Sequence, residues 1–326
     1  MLLDRETFRS LPREHIARLL HLHRTEVVAV AVNGTRRWFL MEFGKLPENQ
    51  PKQYLDAMSH THIRLCKLFY SLGVTTLVMP VFGPELAGRG SRYRELAAAG
   101  LNHLATDPAL LEYYRAAGVC VRCYGDYCGY FENTTSAGLI CLLDRLAKQT
   151  AGNGPHRLFL GVCADDATES VARLSVAYAQ KHGKVPDKRT LVELYYGEYV
   201  EPIKMFIGFD QFCVFDVPLL TTGAEDLYFT VAPLPYLNEM QLRDILHDHL
   251  FARRTSADTA SLESLDVEAM RRFYAANRHT TQGLGLRYGG VWYPLPEVQA
   301  VDFADLPAED ALPENETAKR LDANLL

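Results

Sequence analysis

Glu26-Val27-Val28-Ala29-Val30-Ala31-Val32 runs directly into Asn33-Gly34-Thr35-Arg36-Arg37-Trp38-Phe39. The first segment is apolar after Glu26, rich in valine and of strand length, as a strand covered on both faces of a parallel sheet must be. Gly34 allows a tight turn whose backbone N–H groups point at a ligand. Two adjacent arginines at the carboxyl end of such a strand call for an anion. A diphosphate, with several negative charges and many acceptor oxygens, suits paired guanidinium groups. The bland alternative is a surface arginine pair bridged to Glu42 or Asp126, and the residues alone leave it open.

Further along, Val74–Phe82, Val119–Tyr124, Leu158–Cys163, Met205–Phe209 and Leu227–Val231 repeat the apolar, β-rich pattern. Helical patterns separate them: Gln53–Leu72 closed by Gly73, Ser91–Ala105, Asp107–Ala117 with Pro108 at its first helical position, Thr135–Gln149, and Asp166–His182 stopped by Gly183. Such alternation predicts an α/β domain on a doubly wound sheet, whose ligands gather at the carboxyl ends of the strands. Residues 237–253 and 259–277 add helices, and 283–294 reads as a hairpin around Gly289-Gly290, giving a helical C-terminal elaboration.

Composition narrows the choice. Residues 296–326 hold eight acids against Lys319 and Arg320, which accounts for the whole net charge of −6. The sequence therefore predicts a near-neutral catalytic domain over 1–295 and an acidic, Pro- and Ala-rich appendage over 296–326. A neutral body without a basic stripe argues against nucleic-acid binding. No apolar run reaches the ~18 residues of a membrane span. The opening MLLDRETFRS lacks the apolar core of an export signal, so a cytoplasmic enzyme is expected. The seven cysteines read as reduced thiols. Cys120 and Cys123 would point to opposite faces of a strand, and no second CxxC completes a zinc site. Neither GxGxxG nor a P-loop occurs, and no DDxxD occurs; Asp165-Asp166 sits at a helix start, where capping explains it.

Asn33-Gly34-Thr35-Arg36-Arg37-Trp38-Phe39 resembles the Asp-Gly-Asn-(Gly/Arg)-Arg-Trp motif of cis-prenyltransferases such as undecaprenyl diphosphate synthase. It is more similar still to their divergent tuberculosinyl adenosine transferase branch. Tyr124–Tyr127, Asp166–Ala172, Tyr195–Val200, Met205–Phe209 and Leu227–Pro233 look like that branch too, in the same order. The resemblance implies a six-stranded, mainly parallel sheet wrapped by helices around a hydrophobic tunnel for an isoprenoid chain. It places the diphosphate on Gly34, Thr35, Arg36 and Arg37, with Asp126 a further substrate-binding candidate. It also puts Tyr54 and Tyr93 where the branch has active-site tyrosines, and it implies a Mg²⁺ cofactor and pairing into a homodimer. The expected reaction is ionisation of an allylic isoprenoid diphosphate and transfer of the terpenyl group to a non-isoprenoid acceptor, nucleoside-like or water. The alternatives are a lyase that releases a terpene alcohol or hydrocarbon, and a non-catalytic prenyl-diphosphate-binding subunit.

Two departures from the motif stand out. Asn33 replaces the aspartate that serves Mg²⁺ in the family; its single carbonyl oxygen is a poorer ligand for a hard cation, which leaves the metal ligands unknown. Asp126 and Asp216 are the candidates for the missing acid, and a carboxylate restored at position 33 would be expected to tighten Mg²⁺. Chain-elongating members also carry arginines after the fifth strand to hold isopentenyl diphosphate. Here Gly208 falls at the first of them and Phe209–Phe215 contains none, so elongation is not expected.

Overall fold

The computed structural model of the chain describes residues 3–83, 90–164, 167–210, 212–253, 264–288, 291–295 and 298–299. Asp165-Asp166, the Gly289-Gly290 turn and, apart from Val298 and Gln299, the acidic stretch over 296–326 lie outside the described residues. The chain forms two compact units, Leu11–Ile245 on the one hand and Met1–Ser10 with Leu246–Leu326 on the other.

The larger unit holds β1 (Val27–Val30), β2 (Thr76–Phe82), β3 (Val119–Tyr124), β4 (His156–Val162), β5 (Met205–Phe209) and β6 (Asp226–Thr230), in the spatial order β3-β4-β2-β1-β5-β6. Every neighbouring pair is parallel; Val28 of β1 lies opposite Leu77 of β2 and Met205 of β5. Val28, Ala29, Val30, Leu77, Val78, Met79, Leu158, Leu160, Phe206 and Ile207 are all fully buried, which is why their runs are apolar almost throughout. Between the strands lie α2 (Arg13–Leu22), α3 (Thr35–Phe43), α4 (Pro51–Ser71), α5 (Ser91–Thr106), α6 (Pro108–Ala116), α7 (Tyr127–Phe131), α8 (Gly138–Thr150), α9 (Thr168–His182) and α10 (Lys188–Tyr196).

Local chemistry sets several helix starts. Asp107 accepts from Ala109 N at 3.0 Å ahead of Pro108, and Asp187 accepts from Thr190 N at 2.8 Å. The smaller unit, described by itself, contains α1 (Arg5–Ser10), a π-helical turn over Asp248–Ala252, α12 (Ser264–Asn277) and an antiparallel hairpin of β7 (Gly285–Tyr288) and β8 (Val291–Pro294). Phe8 packs its ring edge on His247 and Phe251, at 5.5 and 5.9 Å between centroids. The helix α11 (Glu239–His247) carries Arg243, which donates to the Leu11 carbonyl at 2.7 Å.

The main departure from the sequence reading is α3. Thr35–Phe43 is helical, so the two arginines occupy the first turn of a helix rather than a strand end.

Candidate active site

From β1 the chain leaves towards β2 and returns to β5 only after β4. The carboxyl ends of β1 and β5 therefore flank the switch point of the sheet, where open α/β folds take their ligands. Ala31 N donates to the Ile207 carbonyl at 2.9 Å and extends the pairing by one residue. Asn33 then turns its side chain across to β5, where Nδ2 donates to the Phe209 carbonyl at 3.1 Å. The Asn33 carbonyl accepts from Leu234 N at 3.3 Å, and Arg64 of α4 pins the same turn by donating to the Pro235 and Leu237 carbonyls.

Gly34 caps α3 with φ 77°, a left-handed conformation. The three N–H groups that follow, of Thr35, Arg36 and Arg37, have no carbonyl one turn earlier in the helix to bond, and they lie at the positive end of its dipole. Guanidinium groups at that end repel the dipole, so the sequence places them against local preference. Two acids hold them: Arg36 pairs with Glu48, and Arg37 Nη2 meets Asp210 Oδ2 at 2.8 Å, with its guanidinium 5.3 Å from the Phe209 ring centre. The acid side chains are only 14% and 13% exposed, whereas Arg36 and Arg37 are 37% and 47% exposed. The carboxylates thus sit behind the guanidinium groups, which face outward beside the free helix end. Fixed donors arranged in this way can bind an anion.

Thr35 Oγ1 and Tyr54 Oη lie 2.8 Å apart, and both residues also line an apolar cavity of about 180 Å³. Its walls include Leu55, Met58, His62, Met79, Phe82 and Leu101 from α4, β2 and α5. The anion surface and the hydrocarbon cavity share a border. Tyr54 stands there with its ring edge on Phe39. Tyr93 is the third residue of α5, but its side chain lies outside the described residues.

Asp126 is placed differently. It follows β3, three strand spacings, or about 14 Å, from β1, and it pairs with Arg173 at 2.5 Å. Asp216 is buried and its carbonyl accepts the Tyr124 hydroxyl at 2.7 Å. Glu42, the other sequence candidate for an arginine partner, accepts from the Tyr236 hydroxyl. The acids that reach the arginines, Glu48 and Asp210, were not among the sequence candidates. Asp210 was findable as the residue immediately after β5, beside the switch point. Glu48 lies in the short turn Pro47–Asn49, which carries no such signal.

Inside the cavity wall, burial pushes His62 down to about 4. Its Nε2 lies 3.1 Å from the Tyr114 hydroxyl. The unfolded chain takes up a proton near the ordinary 6.5 and the folded chain only near 4, so this site's contribution is complete above pH 6.5 and is lost as pH falls to 4. The expected loss is on the order of 3 kcal/mol. Urea melts at pH 7 and 4.5 should show it, and a His62→Gln variant, which still accepts from Tyr114, should flatten that slope.

A six-stranded parallel sheet in the order β3-β4-β2-β1-β5-β6, wrapped by helices, has the fold of the cis-prenyltransferases. The chain belongs to the tuberculosinyl adenosine transferase family and is an enzyme, a terpenyl transferase. It is 37% identical to tuberculosinyl adenosine transferase of Mycobacterium tuberculosis over 295 residues, 90% of this chain and 98% of that protein. A (+)-kolavelool synthase of Herpetosiphon aurantiacus is 27% identical over 240 residues, 72% of this chain and 79% of that one. No family model matches. Among solved structures, lavandulyl diphosphate synthase from Lavandula x intermedia, in complex with dimethylallyl diphosphate, superposes with TM-score 0.57 at 14% identity, covering 69% of this chain and 94% of its own. A probable undecaprenyl diphosphate synthase from Campylobacter jejuni gives TM-score 0.53 at 14% identity over 71% and 98%. These two likenesses bear on the fold alone.

Proposed function

We infer that the enzyme seats the diphosphate of an allylic terpenyl substrate on the first turn of α3, with Arg36 and Arg37 as side-chain donors, and its hydrocarbon in the adjoining cavity. The observation that carries this reading is the shared border: Thr35 and Tyr54 belong to both surfaces, so the bond between carbon and diphosphate falls between them. Fixed donors aimed at the leaving oxygens stabilise charge as the C–O bond breaks and its electron pair passes to the diphosphate. The Tyr54 ring borders the cavity where an allylic cation would form, and an aromatic face attracts such a cation. Bound Mg²⁺ would neutralise part of the diphosphate charge. A cytoplasmic location and a homodimer belong to the same reading.

The acceptor is an uncharged planar molecule of the nucleoside kind, as the name of the M. tuberculosis relative suggests; its lone pair closes on the allylic carbon. The surroundings of Gly208 support this over a second diphosphate. A Cβ there would lie 3.1 Å from the rings of Phe206 and Phe229, so a side chain at this position would have to push both rings aside. Phe212 stacks edge-on against Phe229 at 5.1 Å, so the region offers aromatic faces rather than cationic donors. The likeness to a kolavelool synthase keeps a second reading alive, in which water takes the acceptor's place.

Incubation with C10–C20 terpenyl diphosphates, with and without adenosine, tests this by pyrophosphate release and product mass. A terpenyl–adenosine adduct is expected. Terpene alcohol regardless of adenosine would favour the second reading, and tight binding without pyrophosphate release would overturn both. Mixed with isopentenyl diphosphate and an accepted allylic substrate, the enzyme should give no lengthened polyprenyl product; mass spectrometry of the extracted lipids decides this.

A further inference from the structure

Asn33 and Asp210 stand at the carboxyl ends of the adjacent strands β1 and β5, and each carries a buried side-chain oxygen, Oδ1, that accepts no hydrogen bond. Neither oxygen is left over by accident of rotamer. The Asn33 amide is oriented by its Nδ2 bond to the Phe209 carbonyl, and the second carboxylate oxygen of Asp210 is taken by Arg37. Asp210 also holds a left-handed backbone, φ 75°, which is uncommon for a residue with a Cβ and clusters at functional positions. Buried acceptors of this kind call for a partner that brings positive charge or protons.

Among the described residues no three His, Cys, Asp or Glu side chains come together as a metal site. One carboxylate oxygen and one amide oxygen are too few to hold a hard cation unaided. They suit Mg²⁺, which keeps most of its waters and is bound by one or two protein oxygens together with substrate phosphates. We propose that Asp210, from β5, is the carboxylate that binds the diphosphate-borne cation in this enzyme, with Asn33 Oδ1 as the second protein oxygen. The acid that the family motif carries after β1 has in effect moved to the neighbouring strand. This rests on the diphosphate reading of the site. It reverses the sequence expectation for Asn33→Asp. An aspartate at 33 has no N–H for the Phe209 carbonyl and sets a second negative charge near Asp210.

Calorimetric titration with inorganic pyrophosphate, with and without Mg²⁺, tests the proposal without turnover. Mg²⁺ alone should show no binding, and Mg²⁺ should tighten wild-type pyrophosphate binding by at least ~10-fold, a gain of about 1.4 kcal/mol. Asp210→Asn should cut that gain to less than about twofold; the readout is the ratio of pyrophosphate affinity with and without Mg²⁺ in the same variant, so a change in Arg37 positioning, which shifts both affinities, does not mimic it. Asp210→Ser should behave alike and serves if Asp210→Asn does not fold, as judged by circular dichroism. Asp210→Glu should keep part of the gain, and Asn33→Asp should not raise it. Carboxylate-free variants that keep the full gain, or a wild type in which Mg²⁺ gives none, would overturn the proposal and leave the diphosphate reading standing. No pyrophosphate binding under either condition would overturn that reading, and the proposal with it.

Discussion

Arg37→Ala lowers turnover on any accepted terpenyl diphosphate by at least ~10²-fold, and so does Arg36→Ala, because each removes one preorganised donor from the leaving group. The two effects have different accompaniments. Arg37 is held by Asp210 and rests on the Phe209 ring, so its loss strips a largely covered carboxylate of its ion partner. Arg36→Ala does the same to Glu48 on the turn before α4. Stability should therefore fall with activity, by about 1–3 kcal/mol for each orphaned acid. Pairing each arginine change with the neutral form of its acid, Arg36→Ala with Glu48→Gln, should recover stability but not turnover. Pyrophosphate release followed beside urea melts separates the two, and a stable Arg36→Ala/Arg37→Ala double variant with undiminished release would remove the arginines from the chemistry.

Gly34→Ala should be as damaging by another route. At φ 77° an L-residue carries the left-handed penalty, and the new Cβ would lie 2.7 Å from the Phe209 ring and 3.0 Å from Pro233. Strain and overpacking together suggest a loss of roughly 2–4 kcal/mol. Relief requires Gly34 to shift, and it is the residue from which α3 starts. The N–H groups of its first turn would move with it, so the surviving folded protein should also lose affinity for pyrophosphate. Gly183→Ala is a fitting control: it has a similar φ of 69°, nothing lies within 4 Å of its Cβ, and it is far from the site in sequence. Its cost should be the left-handed penalty alone, about 1 kcal/mol.

Strands were legible in the sequence because burial on both faces leaves few polar residues in the central strands to blur the pattern. Val119–Tyr124 and Met205–Phe209 match their apolar runs residue for residue, and the others differ by one or two residues at their ends. Helix α3 was not legible for the converse reason. Its first turn carries Arg36 and Arg37 where acidic residues usually mark a helix start, and only Phe39 of its nine residues is fully buried. The site was half legible. Asn33 to Arg37 stand out as an unusual motif, whereas Tyr54 enters only through the family resemblance; the structure sets Tyr54, on α4, against Thr35 at the carboxyl end of β1. The arginines' counter-charges come from 12 residues away in one case, in a turn with no signal of its own, and from the end of another strand in the other, where only the place of Asp210 after β5 points to it. Asp126 was a candidate for the missing motif acid and for substrate binding; it follows β3, which the order β3-β4-β2-β1 sets apart from the switch point.

Glu48 and Asp210 also shape how the site waits for substrate. Each carboxylate engages its arginine through a nitrogen on the less exposed side, and a guanidinium has five N–H donors, so an anion can bind the outward face without displacing the acid. A long arginine side chain carries roughly 2 kcal/mol of rotamer entropy. With the ion pairs formed in advance, most of that freedom is given up when the chain folds rather than when a diphosphate arrives, and the affinity of the site is higher by the difference.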